Sequence, residues 1–133
     1  IENNKIFNHR DGIYFEFVRH GKIVNNHSEG NLRYGLHFMF SDSCYYQSNQ
    51  FEYNNAGVAV MYSHYVEMIK NKFMNNWGPA SYGLLLKDIT DSKIIFNQFI
   101  ENTSGIYIEG CNRSEFQNNL FEKNGWAIKL MAN

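Results

Sequence analysis

His37, Met39 and Met61 are the residues of this chain whose types and spacing point to a specific chemistry. Thioether sulfur and neutral imidazole suit Cu(I), and a neutral ligand set favours transient binding over a locked structural site. The three become neighbours only if Met39 and Met61, 22 residues apart, lie side by side on adjacent turns of one element. The same residues also fit an apolar outer strip covered by a loop or partner, with His37 at its edge. His64 could approach them only if its turn folds back. His9, His20 and His27 gather toward the first turns, as a second histidine site or as ordinary surface residues.

The segment NWGPASYG offers binding chemistry of another kind. It carries the single proline, Pro79, beside Trp77 and Gly78, and a Trp-Gly-Pro loop is a stiff protrusion. With Tyr82 and Leu85 it makes a candidate partner-binding patch; a plain bulge accounts for the loop equally well. The carboxylates form no evident catalytic pair. Glycoside hydrolysis needs two carboxyl groups roughly 5 to 9.5 Å apart across the scissile bond, whereas the outer positions run Glu16, Met39, Met61, Lys87, Glu109. Asp42 and Asp88 belong to turns, where bonding to backbone is a sufficient role. Lys87 and Glu109 are expected to form a cross-strand ion pair, and Arg33 to cap a turn or meet an acidic partner. No HExxH, phosphate-loop or triad signature is present, so an enzyme is not the expected reading.

What must position these residues is a repeat. Asn26, Asn49, Asn71, Asn97 and Asn119 recur at spacings of 23, 22, 26 and 22, and Asn31, Asn54, Asn76, Asn102 and Asn124 run beside them. Gly12, Gly35, Gly57, Gly83 and Gly105, with Ala127, open a short apolar run in each copy. Ile13, Leu36, Val58, Leu84, Ile106 and Ile128, and the residues two positions later, alternate as one strand face. Two further apolar columns follow, Ile23/Tyr46/Met68/Ile94/Phe116 and Phe51/Phe73/Phe99/Phe121, the latter with Ser28 as its early exception. Asn and Gly interrupt every candidate helix, so the consistent fold is all-β: a right-handed, single-stranded parallel β-helix of about 22–24 residues per coil with asparagine ladders. Asn offers both donor and acceptor, enough to bond turn backbone and the next amide. Glycine opening each strand is expected to let a tight corner form. Residues 1–133 are then a fragment of a larger β-helix, about five to six coils.

Composition narrows the function classes. Lys+Arg 12 against Asp+Glu 13 leaves no basic track for nucleic acid or anionic lipid. No apolar run reaches the roughly 18 residues of a membrane helix. Cys44 and Cys111 fall three coils apart, roughly 14 Å along the axis, beyond the ~7 Å Cα limit of a disulfide, and neither has zinc-site spacing.

The segments LRYGLHFMFSDS, AGVAVMYSHYVEMIKNKFMNNWGPASYGLLLKDITDS and GIYIEGCNRSEFQNNLFEKNGWAIKLMAN resemble the NosD family of periplasmic nitrous-oxide-reductase maturation proteins. The resemblance covers nearly the whole chain, and RYGLHFMFS and NWGPASYGLLLK are its most specific parts. It implies a periplasmic protein with a fold akin to carbohydrate-binding β-helices. Its partners would be a NosF/NosY-type transporter complex, a copper chaperone and nitrous oxide reductase, with membrane association only through those partners. It implies copper, as Cu(I), handled transiently and without covalent catalysis. It favours His37, Met39 and Met61 as ligands and strengthens Trp77, Gly78 and Pro79 as a docking loop. The alternative is an extracellular polysaccharide-binding or polysaccharide-modifying β-helix.

Overall fold

The computed structural model describes residues 1–131 and is a right-handed parallel β-helix. Each coil contributes one long and two short strands, and each strand pairs in parallel with the strand one coil away. The long face stacks Asp11–Glu16, Tyr34–Met39, Ala56–Met61, Tyr82–Lys87, Ser104–Glu109 and Trp126–Met131. A second face of three-residue strands runs from Lys5–Phe7 through His27–Glu29 and Gln50–Glu52 to Leu120–Glu122. A third runs from Lys22–Val24 to Glu115–Gln117. Among the described residues, no helix is long and apolar enough to cross a membrane.

Period-two alternation sends one side chain set to the axis. Leu36, Phe38, Val58, Val60, Leu84 and Leu86 from the long face meet Tyr46, Met68 and Ile94 of the third and Phe51, Phe73 and Phe99 of the second, all fully buried. The phenylalanine column stacks face to face, with ring centroids 5.6, 4.7 and 4.9 Å apart from Phe51 to Phe121. Both asparagine columns form the expected ladders. In each, Nδ2 donates to the Oδ1 one coil on, and that same Oδ1 accepts the backbone N–H. The interior amides thereby satisfy turn backbone that faces no water.

The glycine column has a different cause from the one its sequence suggests. The corners are turned by left-handed residues, and among the described residues twenty of these are not glycine, including Phe17, Phe40, Tyr62, Tyr53 and Phe96. None of Gly35, Gly57, Gly83 and Gly105 has positive φ. They are glycine because a Cβ would lie 2.4–2.8 Å from the carbonyl oxygen of the next coil. Close stacking of backbones, and not corner conformation, selects the residue.

Within the core of the described residues the hydroxyl of Tyr46 is left unsatisfied, fully buried with no hydrogen-bond partner. Burial also pushes its pKa well up. Its ring packs edge-on against Phe38 at 5.4 Å. Tyr46→Phe keeps that packing and removes an unpaired polar atom, so it is expected to stabilise by about 1 kcal/mol, read as a higher urea midpoint with an unchanged slope.

Candidate functional site

The outer side of the long face brings His37, Met39 and Met61 together. Met39 and Met61 are direct strand partners, followed by Lys87, and His37 stands between Tyr14 and Ala59 in the neighbouring column. The sequence places His37 on an exposed strip, but it is only 8% exposed. The Tyr14 ring meets it edge-on at 5.3 Å and the Tyr34 ring lies 4.6 Å away. Neither Nδ1 nor Nε2 of His37 has a hydrogen-bond partner. Burial lowers its pKa; Arg33 acts in the same direction, while Asp11 and Glu16 oppose it. The ring is thereby kept neutral, with one nitrogen lone pair uncommitted. Thioethers and a neutral imidazole are donor types that a soft cation takes.

The five candidate docking residues divide between two surfaces. Trp77, Gly78 and Pro79 lie at the coil corner, where Gly78 N–H donates to Thr103 Oγ1 at 3.0 Å and Thr103 Oγ1 donates back to Gly78 O at 3.1 Å. Ser81 Oγ adds a bond to Asn55 Oδ1 at 2.8 Å, so the inserted loop is tied to the coils on both sides. Trp77, 56% exposed, lines a shallow groove with Leu32 and Tyr53. Tyr82 and Leu85 instead belong to the long face, Tyr82 with its ring 5.1 Å from Tyr107 and Leu85 between Ala59 and Tyr107.

A groove that the sequence pattern concealed runs along the corner after the long strands. Phe17, Phe40 and Tyr62 stack at 5.4 and 5.2 Å with their rings nearly parallel, beside Arg19, Asp42 and His64. The opening measures about 480 Å³. Asp42, assigned to backbone bonding from its turn sequence, instead holds Arg19 at 3.2 Å and comes within 4.0 Å of His64. The reason is the ladder: Arg19, Asp42 and His64 are bridge partners on successive coils. Because the rings lie face to face along the axis, their edges are what the groove offers a ligand. The readable signal was the recurrence of these aromatics one coil apart, masked by the rarity of bulky residues at positive φ.

On the second face His27, Glu29 and Glu52 hold ligand atoms all within 4.8 Å of one another, an arrangement able to take a metal ion. His9 and His20 are not part of it. Lys87 Nζ and Glu109 Oε2 stand 4.0 Å apart, a loose version of the expected pair. Arg33 lies over the Tyr34 ring and 3.6 Å from Asp11, joining the surroundings of His37. Burial raises the pKa of the Cys44 and Cys111 thiols, which makes them weak nucleophiles and ligands.

Two solved structures share this architecture. A double mutant of the periplasmic alginate epimerase AlgG superposes with a TM-score of 0.71 at 14% identity, covering 98% of this chain and 39% of that one. The A-module of an Azotobacter vinelandii mannuronan C-5 epimerase gives 0.69 at 16% identity, covering 99% of this chain and 58% of that one. The chain thus spans less than two thirds of either, and the likeness bears on fold alone. No curated protein matches the chain. A family profile described as NosD, periplasmic copper-binding protein, matches residues 1–133.

Proposed function

The chain belongs to the NosD family over its whole length, and from that premise we propose that it is a non-catalytic periplasmic scaffold that receives and presents copper as cargo. A periplasmic location is that of the family. The observation that carries the reading is His37: a buried, neutral imidazole with both nitrogens unpaired, on the same face as the Met39–Met61 pair. An orphaned buried polar group is costly unless something completes it, and a thioether-rich surrounding selects Cu(I) over harder ions. On this reading Tyr14 and Tyr34 hold the imidazole in place and keep water from it. The neutral ligand set would release the ion again to a partner. Those partners are a NosF/NosY-type transporter, a copper chaperone and nitrous oxide reductase, with Trp77 at its tied corner as the contact.

Anaerobic Cu(I) titration tests it. The combined variant His37→Ala, Met39→Leu, Met61→Leu is expected to bind at least about tenfold more weakly than wild type, the lower end of what even second-shell changes cost a metal site. Equal affinity would remove these residues as the site.

The second reading, a polysaccharide-binding or polysaccharide-modifying β-helix, has its own support. Both solved structures of this architecture are alginate or mannuronan epimerases, and the reading rests on that likeness of fold. The groove of Phe17, Phe40, Tyr62, Arg19, Asp42 and His64 would be its site. Binding or turnover of a uronate polymer without dependence on copper would establish it over the first.

A further inference from the structure

We propose that His27, Glu29 and Glu52 form a binding site for a divalent first-row transition ion of the Zn(II) class, distinct from the thioether strip. Glu29 and Glu52 are strand partners on adjacent coils, and His27 precedes Glu29 by two residues on the same side of its strand. The stacking of the solenoid therefore sets two carboxylates beside each other and an imidazole beside both. His27 Nε2 lies 3.3 Å from Glu52 Oε1 and 3.9 Å from Glu29 Oε1. Ligands bound to one metal at about 2.0–2.2 Å stand roughly 3.3–3.6 Å apart in a tetrahedral shell. The His27–Glu52 distance already meets that separation, and the group as a whole, within 4.8 Å, must contract to reach it. Among the described residues this is the one group of three His, Cys, Asp or Glu side chains with that geometry.

The surroundings are those of an oriented site. Gln50 Nε2 donates to Glu52 Oε2 at 2.8 Å, holding the carboxylate with its other oxygen toward His27. Phe7 meets the imidazole edge-on at 5.4 Å and limits its rotation. Side-chain exposures of 31%, 35% and 12% for His27, Glu29 and Glu52 leave the group open to an ion without leaving it loose. An ion pair between His27 and Glu52 would account for one carboxylate and leave the second facing it as a like charge. A dication relieves the repulsion and completes all three groups at once.

The donor set selects the ion. One imidazole and two carboxylate oxygens suit borderline divalent ions and disfavour Cu(I), the reverse of the preference of two thioethers and an imidazole. The site lies on a different face from Met39 and Met61, so the proposal stands or falls independently of the copper reading. Calorimetric titration with Zn(II) on the intact protein separates them. Wild type and the His37/Met39/Met61 variant are both expected to bind one equivalent, with Tm raised by the metal in each. His27→Ala and Glu52→Gln are expected to bind at least about tenfold more weakly and to lose the Tm increase. Glu29→Gln serves as a third variant, and circular dichroism of the metal-free proteins confirms that each still folds. No saturable binding to wild type, or equal affinity in the His27 and Glu52 variants, overturns the proposal. So does binding that disappears with the thioether strip alone.

Discussion

Asn71→Ala is expected to destabilise the protein by about 3 to 5 kcal/mol, because each buried partner left unbonded costs about 1–3 kcal/mol. Asn71 is fully buried in the middle of its ladder. Its Nδ2 donates to Tyr46 O at 3.2 Å and to Asn97 Oδ1 at 3.1 Å. Its Oδ1 accepts the backbone N–H of Asn49 at 2.9 Å and the Asn49 Nδ2 at 3.0 Å. Alanine strands two donors on the preceding coil and weakens two acceptors, one on that coil and one on the next, in a fold whose coils support only their neighbours. Total stabilities of about 5–15 kcal/mol leave little margin for such a loss. Asn71→Asp has the same shape but turns an oxygen toward two acceptors, and burial raises the pKa of the introduced carboxyl. A group whose folded pKa is raised contributes most below its unfolded value and loses that contribution as pH rises through the folded one. The Asp defect is therefore smallest below about pH 4 and grows toward neutrality, whereas the Ala defect has no such dependence. Asn119→Ala, at a half-buried position, is the milder control. Urea unfolding followed by circular dichroism at both pH values measures all three. A loss under about 1 kcal/mol for Asn71→Ala, the value of one ordinary net hydrogen bond, would show that the ladder does not hold the coils together.

The ladders were legible because their cause is one-dimensional: an amide must meet its copy one coil on, so spacing along the chain is spacing along the axis. The Met39–Met61 pairing followed from the same rule. Burial of His37 did not, because it depends on how far the rings of Tyr14 and Tyr34 lean across the sheet, which spacing does not contain. The His27, Glu29 and Glu52 group was missed for another reason. Aligning the columns by Asn and by apolar residues leaves the outward positions of the short strands unread, although HSE and QFE stand in register. The aromatic corner of Phe17, Phe40 and Tyr62 was hidden by conformational preference, since left-handed turns are ordinarily sought at Gly, Asn or Asp. Here the stacking of each ring on its neighbour offsets the backbone cost at successive coils.

Gly57→Ala is the second change expected to do large damage, about 3 kcal/mol, at the upper end of overpacking. An added Cβ would lie 2.4 Å from Gly83 O and 3.4 Å from Gly83 C, atoms of the next coil's backbone, and 3.2 Å from the Asn76 ladder amide. No rotamer change relieves a clash with a carbonyl. The coil must move, and moving it stretches both the Ala56–Met61 to Tyr82–Lys87 pairing and the ladder beside it. Gly30→Ala makes the comparison informative. Its added Cβ meets only the flexible end of Asn8, at 2.7 Å, but Gly30 has a φ of +68°, so its cost is the left-handed penalty of roughly 1–2 kcal/mol. A larger loss at Gly57 than at Gly30 supports coil spacing as the reason for the glycine column; a loss at Gly57 under about 1 kcal/mol would remove that reason. The displaced strand also carries Met61 toward or away from Met39. If the thioether pair binds copper, a folded Gly57→Ala protein should therefore lose Cu(I) affinity, while Zn(II) binding at His27, Glu29 and Glu52 on the other face is retained.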